Sequence, residues 1–325
     1  MSAAVGGSIA FLFPGQGSQS VGMGQELAAQ YAVAKQTFAE ADAALGFKLS
    51  QLCFEGPEED LKLTENTQPA ILTVSVAAFR VLREKGYACQ FAAGHSLGEY
   101  SAHVAAGALS FTDAVCAVRQ RGRYMQEAVP VGQGAMAAVL GLGPEAVEQL
   151  CQEAAQGEMV QAANVNSPEQ IVISGHQGAV ERAAELAKQH GAKRAIMLAV
   201  SAPFHSALMQ PAQERLGCYL RGLTINSPNF PVIANISAEP VTTAADTRDT
   251  LIRQVTGTVQ WERSMRALIV AGVGTFVELG PGKVLCGLMR QIDRNKGCVN
   301  VEDEASLQKA LKQLDQIKAE AAANA

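Results

Sequence analysis

Short apolar runs alternate along this chain with longer segments in which apolar residues recur at helical spacing. The runs at 9–13, 91–93, 232–236 and 275–279 are each bounded by turn residues, as buried strands are. The stretch 68–85 is typical of the helical segments, because it repeats apolar residues every three or four positions. Strands that alternate with helices predict a doubly wound, mostly parallel α/β sheet, which binds ligands at the carboxyl ends of its strands.

Residues 130–199 follow a different order of elements. They read in chain order as a strand, a helix, a hairpin, a helix and a strand, at 134–142, 144–155, 161–174, 177–190 and 194–200. The order β-α-β-β-α-β is that of a ferredoxin-like unit. We therefore predict a discontinuous large domain formed by 1–129 and 200–325, and a small ferredoxin-like domain of 130–199 inserted into it.

Composition indicates an ordinary globular protein. The 325 residues are 48% hydrophobic and 18% charged, with a net charge of −5 and no basic cluster, so nucleic acid is not an expected partner. No apolar run approaches the length of a membrane span and no signal peptide is evident, so we expect no membrane association. Seven scattered cysteines predict reduced thiols and a cytoplasmic location, and five histidines without ligand spacing predict no metal site.

A nucleophile elbow is predicted where the apolar strand at 91–93 leads into GHSLG at 94–98 and then into helical periodicity. The glycines permit a sharp turn that leaves the central serine, Ser96, open to substrate. The helix that follows directs backbone N–H groups towards an oxyanion formed at the turn. A chance match in a Gly- and Ser-rich loop is the alternative, and the flanking strand and helix count against it.

A serine nucleophile needs a base, and His205 is the best placed of the five histidines. It lies in SAPFHS at 201–206, a proline-marked loop between a predicted strand and a helix, where catalytic groups often lie. Hydrolases with this elbow carry an acid between the serine and the histidine in chain order, but Asp113, the only aspartate there, fits a helix start. A Ser–His dyad oriented by another acceptor is therefore predicted, with a pH–rate profile that depends on one group titrating near neutrality.

Two further side chains are expected near this dyad. Arg121 falls at the edge of the apolar stripe of its helix, and an inward guanidinium requires an anionic partner, because burying an unpaired charge is costly. The partner can be an internal carboxylate or a substrate carboxylate, and the spacing fits both. Phe204, directly before His205, either narrows the substrate pocket or belongs to the core.

Six short motifs occur in order along the chain. They are FPGQGSQ at 13–19, GHSLGEY at 94–100, RG at 121–122, NVNSP at 164–168 with VISG at 172–175, PFHS at 203–206 and ELGPG at 278–282. Together they resemble the bacterial malonyl-CoA:acyl-carrier-protein transacylase family over roughly the whole chain. The resemblance implies an α/β-hydrolase-like catalytic domain with a parallel sheet, and an inserted ferredoxin-like domain.

The resemblance also implies a reaction. Ser96 takes the malonyl group from malonyl-CoA as an ester, with His205 as base, and passes it to the phosphopantetheine thiol of acyl carrier protein in a ping-pong mechanism. Gln16 and the backbone N–H of Leu97 are implied to form the oxyanion hole. Arg121 is implied to clamp the malonyl carboxylate, a two-pronged contact that suits a guanidinium.

Three supporting roles and a cellular setting follow from the same resemblance. The backbone carbonyl of Gln254 is implied to orient His205, and Asn166 and Ser201 to lie near the substrate. The family implies a monomer without a bound cofactor, which feeds fatty-acid elongation. Three alternatives stay open: a discrete acyltransferase of a polyketide synthase, a serine esterase or acyl hydrolase, and a non-catalytic module that binds a carrier protein.

Overall fold

The computed structural model describes residues 8–200 and 202–323, which form two sheets and the helices around them. The strands are β1 (Ser8–Phe13), β2 (Phe91–Gly94), β3 (Gly134–Leu140), β4 (Val160–Ser167), β5 (Gln170–His176), β6 (Arg194–Met197), β7 (Val232–Ile233), β8 (Pro240–Val241), β9 (Val273–Leu279) and β10 (Gly297–Val301).

The helices are α1 (Gln25–Gln30), α2 (Ala32–Leu45), α3 (Leu49–Glu55), α4 (Glu58–Lys62), α5 (Thr64–Glu84), α6 (Gly98–Ala105), α7 (Phe111–Glu127), α8 (Pro144–Ala155), α9 (Gln177–Leu186), α10 (Gln210–Arg221), α11 (Ala244–Arg253), α12 (Trp261–Val270), α13 (Val284–Ile292) and α14 (Glu304–Ala323). A short 3₁₀ turn, Ala207–Met209, precedes α10. Among the described residues, none of these helices has the length and apolar character needed to cross a membrane.

The large sheet has the strand order β10-β9-β1-β2-β7-β8, and all neighbours are parallel except β7 and β8. Side chains of β1 alternate between two cores, as the two-residue period of a strand requires. Phe11 and Phe13 pack on one face with α2 and α5, while Ala10 and Leu12 pack on the other with α12 and α13. Helices therefore cover both faces, and the predicted α/β class with a parallel sheet is confirmed.

The small sheet is antiparallel, with the strand order β4-β5-β3-β6. That order and the β-α-β-β-α-β sequence of elements are those of a ferredoxin-like unit. Helices α8 and α9 cover one face, while Met136 and Val172 on the other face join the main core. The small sheet is linked by backbone to the segment before α12, because the N–H of Val165 donates to the carbonyl of Val259 at 2.9 Å. The domain boundaries at 130 and 199 remain a prediction.

Three strands are shorter than the apolar pattern predicts, and one of them, β3, ends at Leu140 rather than at 142. The run 232–236 is paired only at Val232–Ile233, because the next residues leave the ladder and Asn235 turns into the elbow of Ser96. Strand β6 ends at Met197 rather than at 200. The hairpin turn is also tighter than expected, since Asn166 lies within β4 rather than in the turn.

Two of the seven cysteines differ from the expectation of reduced thiols. Cys286 on α13 and Cys298 on β10 form a disulfide, with their Cα atoms 5.3 Å apart. They meet because β10 pairs with β9, the strand that leads into α13. The other five are free thiols, namely Cys53, Cys89, Cys116, Cys151 and Cys218.

Candidate active site

The nucleophile elbow connects β2 to α6, and Ser96 lies at its tip with a φ of 51°. Residues other than glycine rarely adopt that backbone conformation. It costs on the order of 1–3 kcal/mol and persists only where surrounding contacts hold the backbone in place. A Cβ at Gly94 would overlap the backbone of Gly98, and a Cβ at Gly98 would overlap the carbonyl of Phe13. The close approach of these segments therefore requires both glycines of the motif.

Ser96 and His205 form a hydrogen-bonded pair, in which Oγ lies 2.7 Å from Nε2. On the other side of the ring, Nδ1 lies 2.9 Å from the carbonyl oxygen of Gln254 and 3.2 Å from that of Gly257. Carbonyl oxygens only accept hydrogen bonds, so the ring proton is on Nδ1 and Nε2 accepts the hydroxyl proton of Ser96. A carbonyl oxygen thus orients this histidine where a triad would use an acid.

His205 is neutral at physiological pH. Burial lowers its pKa to about 3, and the positive charge of Arg121 acts in the same direction. The expectation of a group that titrates near neutrality is therefore wrong for this histidine, because the ordinary imidazole value assumes contact with water. The neutral ring is the form that accepts a proton, so a base at this position is ready throughout the physiological range.

Helix α7 brings the side chain of Arg121 into the site, where it is 2% exposed. Nη1 donates to Oε1 of Gln68 at 2.8 Å. Nη2 donates to Oε1 of Gln254 at 2.9 Å and to Oγ of Ser96 at 3.1 Å. All three acceptors are neutral, and Nε has no partner among the described residues. A buried guanidinium bonded only to neutral oxygens, next to the nucleophile, favours a substrate carboxylate over an internal ion pair.

Gln16 and Leu97, which are expected to form an oxyanion hole, line the same cavity as Ser96. Gln16 follows β1, and Leu97 directly precedes α6. Among the described residues, neither backbone N–H donates a hydrogen bond to another protein group. The positive end of the α6 dipole also lies at this point, which favours a developing negative charge.

Of the other predicted site residues, Asn166 and Phe204 both line the cavity. Oδ1 of Asn166 lies 2.7 Å from Nε2 of His95, so β4 of the small sheet reaches the elbow itself. Phe204 is 8% exposed and also packs in the main core, so both interpretations of its ring remain. Ser201 lies outside the described residues.

The cavity lies between the two sheets and has a volume of about 240 Å³. The rest of its lining is largely apolar and includes residues of β3, β5 and α13, namely Met136, Val172, Val284, Leu285 and Leu288. Within the part of the chain that the structure describes, no cluster of three or more His, Cys, Asp or Glu side chains is arranged to hold a metal ion.

Three polar residues of the site were not predicted from the sequence. Asn235 accepts the backbone N–H of Ser96 on Oδ1 at 2.7 Å and donates from Nδ2 to the carbonyl of Gly94 at 2.6 Å. Gln68 contacts Arg121, and Glu99 is fully buried beneath the elbow. A polar residue inside the apolar run at 232–236 was the available signal for Asn235.

Known proteins share both the sequence and the fold. The acyl transferase domain family matches residues 10–322. A malonyl CoA-acyl carrier protein transacylase of Bacillus subtilis is 53% identical over 307 residues, which cover 94% of this chain and 97% of the relative. This chain belongs to the acyl transferase family. Its place among the malonyl CoA-acyl carrier protein transacylases, predicted from the six motifs, is confirmed.

Solved structures of acyl transferases agree with this placement. An acyl carrier protein S-malonyltransferase of Vibrio cholerae has a TM-score of 0.92 and 49% identity, over 93% of this chain and 99% of that one. Another, described as a type II polyketide synthase acyl-carrier protein in complex with its malonyl-transacylase, has a TM-score of 0.92 and 47% identity over 94% and 99%. The likeness extends over both sheets, since the matches cover nearly the whole chain.

Proposed function

We infer that this protein is a malonyl-CoA:acyl-carrier-protein S-malonyltransferase, which moves a malonyl group through an ester on Ser96. The observation that carries the inference is the place of Arg121. Its guanidinium is buried, bonds only neutral oxygens and lies 3.1 Å from Oγ of the nucleophile. A cationic group at that distance selects acyl groups that end in a carboxylate.

The first half-reaction forms the malonyl ester. Oγ of Ser96 attacks the thioester carbonyl of malonyl-CoA while its proton passes to Nε2 of His205. The oxyanion is held by the N–H groups of Gln16 and Leu97, and Arg121 holds the free carboxylate. The tetrahedral intermediate then expels the CoA sulfur, which takes the proton from the imidazolium.

The second half-reaction runs the same steps in reverse with a new thiol. The phosphopantetheine thiol of acyl carrier protein gives its proton to His205 and attacks the malonyl–Ser96 ester. The ester oxygen leaves as the serine hydroxyl after it regains the proton, and malonyl-acyl carrier protein is released. Each half-reaction breaks one acyl bond and forms another, so no cofactor is required.

The carrier protein defines the pathway that the enzyme serves. We propose that the enzyme feeds fatty-acid elongation. A polyketide carrier protein is the second candidate partner, because a relative of known structure is described in complex with one. Loading of purified fatty-acid and polyketide carriers, compared by kcat/KM, separates the two. A higher value for the polyketide carrier would reassign the pathway.

The oligomeric state and the cellular location are further proposals. We propose a monomer, which light scattering on the purified protein would test. We also propose a cytoplasmic location, in keeping with the five free thiols. The Cys286–Cys298 disulfide calls for a direct test of that location. Thiol labelling of freshly lysed, denatured cells would give seven labelled cysteines if the cytoplasmic proposal is right.

Intact-mass analysis after mixing with malonyl-CoA tests the reaction. One malonyl adduct is expected on the wild-type protein, none on Ser96→Ala, and loss of the adduct when phosphopantetheinylated carrier protein is added. An adduct mapped by peptide mass to another serine would contradict the role of Ser96. Release of the malonyl group to water at the same rate without a thiol would favour the esterase alternative.

A further inference from the structure

Glu99 lies on the first turn of α6, directly beneath the elbow, and takes no part in the proposed reaction. Its side chain is 0% exposed. Oε2 accepts a hydrogen bond from Nε2 of Gln254 at 2.7 Å and another from the backbone N–H of Asn235 at 3.0 Å. Burial raises the pKa of this carboxyl to about 7, against the effect of both hydrogen bonds. An acid is a costly choice for a core position, so packing alone does not explain it.

Both partners of Glu99 also hold the nucleophile. Asn235 accepts the backbone N–H of Ser96 at 2.7 Å, and Nε2 of Gln254 donates to the carbonyl of Ser96 at 2.9 Å. The strained backbone of Ser96 is therefore held on both sides by the side chains of two residues. Each of these residues also donates a hydrogen bond to Oε2 of Glu99, Asn235 from its backbone and Gln254 from its side chain.

Gln254 continues this connection to the cationic group of the site, because its Oε1 accepts from Nη2 of Arg121 at 2.9 Å. The two ends of an amide have nearly the same shape, so hydrogen-bond partners decide which end faces where. The carboxylate of Glu99 and the carbonyl of Ser96 attract the NH₂ end, which leaves the oxygen for Arg121. A reversed amide would place NH₂ against a guanidinium that can only donate.

We propose that Glu99 is a positioning residue that acts through Gln254 to fix Arg121 for the carboxylate of the incoming acyl group. The proposal rests on the proposed function, because the carboxylate of a malonyl group is what Arg121 is there to hold. Glu99 does not contact the substrate. It sets the orientation of the Gln254 amide, and that amide sets the position of the Arg121 guanidinium.

The second carboxylate oxygen shows how to test this role. Oε1 of Glu99 has no hydrogen-bond partner among the described residues, and Nε2 of His103 lies 3.9 Å away, beyond hydrogen-bond reach. Burial lowers the pKa of His103 to about 3, so this ring is neutral. Since both hydrogen bonds go to Oε2, a glutamine at 99 can retain them with its amide oxygen, whereas a leucine cannot. The two variants therefore distinguish the effect of losing the hydrogen-bond acceptor from the effect of keeping a side chain of similar volume.

The experiment measures kcat/KM for loading of malonyl-CoA and of acetyl-CoA. Glu99→Leu should lower the malonyl-to-acetyl ratio by about 10- to 100-fold, the equivalent of one lost hydrogen bond to a charged group. Glu99→Gln should remain within about threefold of the wild-type ratio, because a neutral acceptor is retained. His103→Leu, one turn further along α6, is the matched control and should leave the ratio unchanged.

A second variant covers the case in which Glu99→Leu does not fold. Gln254→Leu keeps the backbone carbonyl that faces His205 and should lower the ratio to a similar extent, and adding Glu99→Leu should lower it no further. A folded Glu99→Leu protein or a Gln254→Leu protein with the wild-type ratio would overturn the proposal. So would Glu99→Gln with a ratio as low as that of Glu99→Leu.

Failure of the proposed function gives a different result. A wild-type protein that takes up no malonyl group would remove the proposed function, while crystal structures of Glu99→Leu and Glu99→Gln would still test the connection. The contact between Oε1 of Gln254 and Nη2 of Arg121 should open beyond about 3.5 Å in the leucine variant and persist in the glutamine variant. An intact contact in both would overturn the role of Glu99.

Discussion

The large and the small sheet border one cavity but contribute to it in different ways. The large parallel sheet contributes the loops after β1 and β2, which carry Gln16 and Ser96 with their free or strained backbone groups. The small antiparallel sheet contributes a face, from which Met136, Val172 and Asn166 reach the cavity. The nucleophile therefore lies on a loop of the large sheet and the base, His205, on the loop that leaves the small sheet, while strands of the small sheet form one wall of the cavity.

The direction of the strands explains this difference. Parallel strands all end at the same edge of the sheet, so their loops collect at one place. Antiparallel strands end alternately at the two edges, and only their alternate side chains share a surface. We expect changes at Ser96, at Arg121 and at the base His205 to cost the most rate, and changes at the strands of the small sheet and at Phe204 to alter selectivity or cost little.

The largest loss among the following variants is expected for His205→Ala. Removal of a general base lowers acylation by roughly 10²–10⁴. Because burial lowers the pKa of His205 to about 3, the wild-type rate should not fall with the midpoint of an ordinary histidine near pH 6.5 as the solution is acidified. Stopped-flow acylation across that pH range tests both points. An unaltered rate in His205→Ala would move the role of base elsewhere.

The next-largest loss of rate is expected for Arg121→Ala, and this loss should depend on the substrate. A buried charge-assisted pair contributes about 2–5 kcal/mol when one member is removed, which is about 30- to 4,000-fold in malonyl transfer. Acetyl transfer should be spared or improved, because an acetyl group has no carboxylate to leave unpaired. Arg121→Lys should recover part of the loss, since an ammonium cannot make the two-pronged contact. Equal losses for both substrates in a less stable mutant would indicate a structural arginine.

Phe204→Ser tests the residue directly before His205, where a change of selectivity is expected. The ring lines the cavity next to His205 and also packs in the core. Removing it should raise use of methylmalonyl-CoA relative to malonyl-CoA by about tenfold, the effect of room for one extra methyl group. The ratio of the two kcat/KM values is the measurement. An unchanged ratio, with a lower melting temperature, would support the core interpretation.

The reactive residues could be predicted from the sequence because each belongs to a local pattern. Ser96 lies in a strand–turn–helix motif, and Arg121 lies on the apolar edge of one helix. The partners that hold them are distant along the chain and have no such pattern. Asn235 is 139 residues from Ser96, and Gln68 is 53 residues from Arg121. Contacts of that kind depend on how strands stack in the sheet, which periodicity alone does not specify.

The same limit applies to elements as well as contacts. A helix start at Asp113 was predicted, and α7 does begin directly after Ser110, whose Oγ accepts from the N–H of Asp113 at 3.0 Å. The pairing of Cys286 with Cys298 was not predicted, because it depends on β10 joining the edge of the sheet beside β9. Hydrophobic patterns predict which face of a helix or strand is buried and where the element ends. They do not predict the order of strands in the sheet, which decides which elements lie side by side.

The smallest effect is expected for Asn166→Ala, the polar contribution of the small sheet. Its side chain makes one hydrogen bond, at 2.7 Å, to His95, and burial lowers the pKa of that ring, so both partners are neutral. Loss of a neutral hydrogen bond costs about 0.5–1.5 kcal/mol, or about two- to tenfold in kcat/KM. The loss should be the same for malonyl-CoA and acetyl-CoA, since no charge is involved. A loss as large as that of Arg121→Ala, confined to malonyl-CoA, would mean that Asn166 binds the substrate carboxylate itself, and the division of labour between the two sheets would then be wrong.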